Sequence, residues 1–372
     1  LTVSRGAWLA LGICLGLGIV LRLRCERRWP VALALLGVAV FTTLSLVGGG
    51  REWYGIPWVG RLLAWFFYRP DRMEVYRGAW YLIRDFFFTG IGPGDTFAMM
   101  YSRYILLIQV PFLTYSHNLF LETWLEQGLL GFLAFLGLIG AFYRLVVKAQ
   151  RQDILFTGAW MGVTAILLHG LSDARQYVDG WTFLPFFVLL GLAVNGGVGK
   201  LEGRKAGRLE GWKVVGLMCA GVLIILGLVW RPMAGMAYAN VGAVAQARGE
   251  LAPGLEDAER AELLRKASSY YQRALDFAAD NPTAWQRLGR LAMDAGRYEE
   301  AVRYLEIAWQ AEPGNPATRK ALGLAYVWVG RFDEAEPLLR GVKDIVQESV
   351  SYTHLRAHET RHDLVCRLLL EK

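Results

Sequence analysis

The chain is poor in the residues that build metal, redox and disulfide chemistry. Its 372 residues include only four cysteines and five histidines. Cys14 and Cys219 lie inside apolar runs, Cys25 in a basic turn and Cys366 near the C-terminus, so no disulfide framework is visible. They read as small, idle thiols. Residues 48–127, the longest stretch between apolar runs, hold no DxD-type carboxylate pair, which disfavours metal-assisted transfer chemistry there. No secretory signal peptide precedes the first apolar run, which begins within a few residues of Leu1. A missing N-terminal portion is expected.

Acidic residues are also the minority, 33 against 40 lysines and arginines, for a net charge of +7. The position of the excess argues against nucleic acid as its partner. Arg22, Arg24, Arg27 and Arg28 fill one short connection between apolar runs. Arg144, Lys148 and Arg151 fill a second, and Lys200, Arg204, Lys205 and Arg208 a third. Alternate basic connections are the positive-inside signature of a multi-pass membrane protein.

Apolar residues make up 54% of the chain, gathered in blocks. A membrane-spanning helix needs ~20 largely apolar residues. Six stretches qualify: about 6–23, 30–47, 128–147, 154–171, 181–199 and 212–230. Trp8, Trp29, Trp181, Trp212 and Trp230 lie at or near their edges, where indole rings favour the headgroup region. The fold class expected is all-α, a polytopic transmembrane helical domain over 1–231 followed by a separate helical solenoid. With the basic connections cytoplasmic, residues 1–5, the loop 48–127, the turn 172–180 and everything after 231 face the other side. Within the loop, Leu62–Tyr68 and Tyr104–Tyr115 are apolar but too short to span, and read as interfacial helices or a lid.

The solenoid is written as a repeat. At a shift of 34 residues, Asn281-Pro282 aligns with Asn315-Pro316, Leu288-Gly289 with Leu322-Gly323, and Gly296-Arg297 with Gly330-Arg331. Ala267, Tyr270 and Ala274 align with Ala301, Tyr304 and Ala308. This is the tetratricopeptide pattern, in which small residues let paired helices approach closely. Two clear repeats and one degenerate repeat are expected over 247–345. Such solenoids usually bind proteins, but the fold does not name the partner.

The last stretch, 349–372, contains His354, His358, His362 and Cys366, a spacing that invites a zinc site. That reading is rejected. The stretch breaks the repeat pattern without a cap and resembles translated sequencing-adapter read-through, an artefact tail to be left out of fold reasoning. His117 and His169 are then the histidines that remain.

Three residues assigned to one face carry the chemistry. His117, followed by Asn118, is a base able to act at neutral pH, and Arg5 and Arg72 are fixed cations. Each also has an ordinary reading. Arg5 can snorkel from a helix end, Arg72 lies among other loop arginines (Arg69, Arg77, Arg84), and His117 can be an interfacial histidine. Glu126 either orients His117 or complements a helix dipole. His169 and Asp173 read as packing or helix-end groups, with an acceptor-site role open. Gly92 and Gly94, within Gly90-Ile91-Gly92-Pro93-Gly94, form either a simple chain reversal or a backbone-lined substrate surface.

Over about residues 1–200 these pieces resemble the O-antigen ligase and polymerase superfamily of membrane glycosyltransferases. The matching elements are Ser4-Arg5-Gly6, Asp71-Arg72 followed by Trp80, the 90–94 glycine segment, Ser116-His117-Asn118-Leu119-Phe120-Leu121-Glu122, and Glu126-Gln127-Gly128-Leu129-Leu130-Gly131. The resemblance implies glycan transfer, with inversion, from undecaprenyl diphosphate to a glycan, lipid or protein acceptor on the outer face of the bacterial cytoplasmic membrane. It implies no metal and no other cofactor. It maps the family's paired arginines to Arg5 and Arg72 and its loop histidine to His117. It also implies further spans before Ser4-Arg5-Gly6. Ligase, polymerase and protein O-oligosaccharyltransferase share these motifs. The rival from another class is a non-enzymatic membrane scaffold displaying repeats for protein–protein contact. A transporter would carry charges inside its spans, and the last four stretches have almost none away from their ends.

Overall fold

A computed structural model describes residue 10 and residues 70–94, 96–108, 111, 113–148, 154–174, 180–198 and 211–340. Arg5, the first two apolar stretches, Leu62–Tyr68 and the tail 349–372 lie outside the described residues. Those described are helical or irregular: α1 Pro70–Asp85, α2 Thr96–Tyr101, a π-helical turn Ser102–Leu106, α3 Leu119–Lys148, α4 Ile154–Gly170, α5 Gly180–Val198, α6 Gly211–Leu251, α7 Asp257–Phe277, α8 Pro282–Asp294, α9 Tyr298–Ala311, α10 Pro316–Val329 and α11 Phe332–Leu339. They divide into two compact units. The first comprises 1–80, 92–94 and 115–222, and the second 81–91, 95–114 and 223–372.

In the first unit α3, α4 and α5 coincide with the stretches expected at 128–147, 154–171 and 181–199. Among the described residues, Leu119–Val147 is long and apolar enough to cross a membrane. Only 17% of its most apolar window is buried, which is not how a soluble core helix sits. Leu155–Gly170 and Phe183–Asn195 are shorter apolar helices. Leu130, Leu133, Leu184, Phe187 and Val188 are all exposed, and large apolar exposure of this kind marks a lipid or partner surface. The inward faces pack Phe142, Val146, Trp160, Val163 and Phe186 together. Tyr143 and Thr164 share a 2.8 Å hydrogen bond inside that packing, so the hydroxyls do not go unsatisfied in apolar surroundings.

α3 is two helices joined at Gly128, whose φ of 68° and ψ of −171° lie in a region that glycine alone occupies readily. The kink separates a short loop-side helix, 119–127, from the apolar length expected to begin at 128. At the far end of α4, Gly170 abuts α3. A Cβ there would come within 2.8 Å of the Leu119 side chain, and this close approach brings the 171–174 turn to the start of α3.

The second unit contains the repeats. Asn281 and Asn315 cap α8 and α10, their side chains accepting from Ala284 N, and from Ala317 N and Thr318 N, with Pro282 and Pro316 in the first turn. Gly289 and Gly323, one period apart, do the same work: a Cβ on either would come within 2.6 Å of Leu305 or Leu339 on the paired helix. Ala301, Ala308 and Ala335 are buried for the same reason. The helix pairs are α8 with α9 and α10 with α11. Before them the C-terminal part of α6 packs on α7, with Gly235 against Ala278 and Gly242 against Tyr271. That first pair starts about a dozen residues before the repeat pattern becomes readable. α6 itself runs 41 residues without a break, from the stretch expected as the last span into this packing.

The structure differs from the interfacial-helix reading of Tyr104–Tyr115. Tyr104 is buried within the π-helical turn, and residues 107, 108, 111, 113 and 114 are irregular. An interfacial helix needs one apolar face. Here the Tyr104 hydroxyl donates to Glu250 at 3.2 Å and its ring lies under Arg287, so the segment is held by polar partners in the second unit.

Candidate functional site

The first turn of α1 carries Arg72 and, one turn on, Tyr76, which therefore share a face. That face meets the turn that follows α4. Arg72 Nη1 donates to the Ser172 carbonyl. The Tyr76 hydroxyl lies 3.5 Å from the Leu171 carbonyl and donates to that of His117 at 3.1 Å. Burial pushes the Tyr76 phenol up to about 12, although the neighbouring Arg72 cation works against this. It is therefore a neutral donor at any physiological pH. Asp173 is near enough to act on it electrostatically.

The segment Tyr115–Asn118 forms the opposite wall. Asn118 is the N-cap of α3: its Oδ1 accepts from Phe120 N and Leu121 N at 3.0 and 3.1 Å. Its Nδ2 donates to the Leu171 carbonyl at 2.9 Å. One side chain thus starts a helix and ties it to the 171–174 turn. Ser116 is buried, its amide donating to Glu122 Oε2 at 2.7 Å and its hydroxyl to the Asn118 carbonyl at 3.1 Å. His117 between them has a φ of 58°, a left-handed conformation uncommon outside glycine. Its ring packs edge-on against Tyr115, centroids 4.4 Å apart. Both neighbours are anchored through their side chains and its own carbonyl is held by Tyr76, so the half-buried His117, its Nδ1 shielded from solvent, is fixed in place.

The structure thus brings Arg72, His117, Asn118 and the 171–173 turn into one cluster. His169 enters through its main chain: its carbonyl accepts from Ser172 N, Asp173 N and the Ser172 hydroxyl, closing the turn that Arg72, Tyr76 and Asn118 all use. Glu126 lies one helical turn beyond Glu122 on α3, and Glu122 is the carboxylate bonded to the Ser116 amide. Gly92 and Gly94 have φ of 91° and 87°. A Cβ on Gly94 would meet nothing within 4 Å, so the requirement for glycine there is conformational. Arg77 is exposed. Arg84 pairs with Glu312 inside the second unit, an ordinary structural ion pair. Sequence reasoning passed over Tyr76 and gave Glu122 no role beyond membership of a motif. Their signals were the four-residue spacing of Tyr76 from Arg72 and the position of Glu122 in the first turn after an Asn cap.

Two family models match parts of the chain. Residues 1–136 match the O-antigen ligase family model. Residues 292–358 match a tetratricopeptide repeat model, running into the stretch read from sequence as an artefact tail. Both agree with the resemblance drawn from the sequence. No curated protein matches the chain. The O-antigen ligase match covers Arg5, Arg72, Gly92, Gly94, His117, Asn118 and Glu126, and ends before His169 and Asp173. It associates that part of the chain with membrane-bound, glycosyltransferase-like enzymes of polysaccharide synthesis, and the repeat match associates the C-terminal part with protein contact.

Proposed function

We propose that the Arg72–Tyr76–His117–Asn118 cluster is the active site of a polytopic membrane glycosyltransferase. It moves a glycan from undecaprenyl diphosphate to a glycan or lipid acceptor on the outer face of the cytoplasmic membrane. The observation that carries the reading is the shared anchorage of a guanidinium and a histidine segment on the 171–173 turn. Each has the residue type that the chemistry needs.

In the proposed reaction an acceptor hydroxyl oxygen attacks the anomeric carbon of the donor sugar. The bond from that carbon to the diphosphate oxygen breaks, and configuration inverts. His117 takes the hydroxyl proton as general base, a role suited to imidazole near neutral pH. The diphosphate departs with the electron pair. Arg72, with Arg5 just before the first apolar stretch, meets the charge developing on it, since guanidinium forks bind phosphate oxygens in pairs. The Ser172 carbonyl orients the Arg72 guanidinium. Tyr76 and Asn118 are positioning residues that set where the histidine stands. Gly92 and Gly94 shape the loop, Glu126 ends the 119–127 helix beside the Gly128 kink and so does not complement a helix start as read from the sequence, and His169 and Asp173 build the turn.

The basic connections support a cytoplasmic assignment for the opposite side, and the outward apolar faces of α3 and α5 support burial in lipid. The test is donor handling by Arg72→Ala in membranes. Arg72→Ala is expected to weaken binding of the polyprenyl diphosphate donor and to abolish transfer. Lost transfer with donor binding intact would count against the diphosphate clamp.

A further inference from the structure

One face of α8 reads Thr283, Arg287, Arg290, Asp294, at spacings of four, three and four that put all four in line. Such a face on a repeat helix is where a solenoid would take a peptide. In this chain it is covered. Asp85, at the end of α1, accepts from Thr283 Oγ1 at 3.0 Å and from Arg287 Nε at 3.1 Å, and pairs again with Arg287 Nη2. Arg287 and Arg290 lie over the Tyr104 ring, at 3.8 and 5.1 Å from its centroid. Arg103 reaches Asp294 at 3.2 Å and Glu250 of α6 at 2.8 Å.

Neighbouring helices extend the contact. Asn240 on α6 donates to the Asp85 carbonyl and to Thr89, at 3.2 and 3.0 Å. Lys320 on α10 donates to the Leu106 carbonyl at 2.8 Å.

We propose that this face of the repeats is a receptor for the chain's own loop, residues 81–91 and 96–106, and not for a separate protein. The charges fix both fit and direction. The loop offers an acid, Asp85, where the repeats offer Arg287, and a base, Arg103, where they offer Glu250 and Asp294. Reversing the loop would set like charges together. Burial argues for permanence: Arg287 is 0% exposed and Tyr104 1%, so undocking would strip each buried ion of its partner.

Hydrogen exchange on the full-length protein in lipid nanodiscs tests the docking without any activity readout, so its failure would leave the catalytic reading standing. Arg103→Ala with Asp294→Ala, both at partly exposed positions, is the first variant, and Asp85→Asn the second. The expected result is exchange about tenfold or more faster in 81–106, with α9 and α10 as protected as before. Unchanged exchange in 81–106 in both variants would overturn the proposal.

Discussion

The phenol of Tyr76 and the main-chain carbonyl of His117 meet at 3.1 Å, across 41 residues of sequence. The bond secures a left-handed histidine, a conformation that costs an L-residue about 1–2 kcal/mol and needs holding. Tyr76→Phe should cost about 1 kcal/mol of stability and lower transfer several-fold through a misplaced imidazole. Because the phenol titrates only near 12, wild type and variant should have pH–rate profiles of the same shape between pH 6 and 9. A basic limb present in wild type alone would contradict this assignment.

Asn118 has two separable jobs. Asn118→Asp keeps an acceptor for the α3 cap but loses the donor to Leu171, whereas Asn118→Ala loses both. Thermal unfolding in detergent should rank them wild type, Asp, Ala. The cap is worth about 1 kcal/mol and the Leu171 bond about the same. Equal destabilisation by the two variants would remove the cap role.

Arg287 and Asp85 form a buried pair, and removing one partner leaves an uncompensated ion. Arg287→Met should destabilise the second unit by about 3–5 kcal/mol. Combined with Asp85→Leu it should cost less than the two single changes summed, because no lone charge then remains. Chemical denaturation of the double-mutant cycle measures the coupling.

Gly289→Ala sets two effects against each other. Replacing a mid-helix glycine gains about 0.5–1 kcal/mol. The new methyl would press on Leu305 Cγ at 2.6 Å, overpacking that costs about 1–3 kcal/mol. The expected net is destabilisation, and Gly323→Ala, facing Leu339 at the same distance, should behave alike. A stabilised Gly289→Ala would show that the helix pair has slack.

How much could be read in advance follows from where information sits in a chain. The 34-residue period was visible because Gly289 and Gly323 answer one packing demand with one residue type, and apolar length made the extents of α3, α4 and α5 visible. Arg72 and His117 could be singled out by side-chain chemistry. The acceptors that gather them could not, since the Leu171, Ser172 and His117 carbonyls are main-chain atoms without a residue signature. The docking of 81–91 and 96–106 was hidden for another reason. Asp85, Arg103 and Glu250 look like ordinary solvated charges until the fold pairs them, and Tyr104 looks apolar until its hydroxyl finds Glu250. In the folded chain burial works to raise the Glu250 carboxyl, but Arg290 and Arg103 hold it below its usual range. The start of the first helix pair was obscured because α6 carries apolar-run and repeat character in one continuous helix.

The central claim is that His117 is the base for glycan transfer from a polyprenyl diphosphate. The most direct measurement compares carrier-bound and transferred glycans, by gel and by lipid extraction, in cells producing wild type or His117→Ala at equal membrane levels. The account predicts that transfer falls by about 10²–10⁴-fold while glycan accumulates on its carrier. A lost length ladder with single carrier-bound units would indicate a polymerase, and full-length chains stranded on the carrier a ligase. Unchanged transfer in His117→Ala would contradict the account and leave the membrane scaffold as the reading.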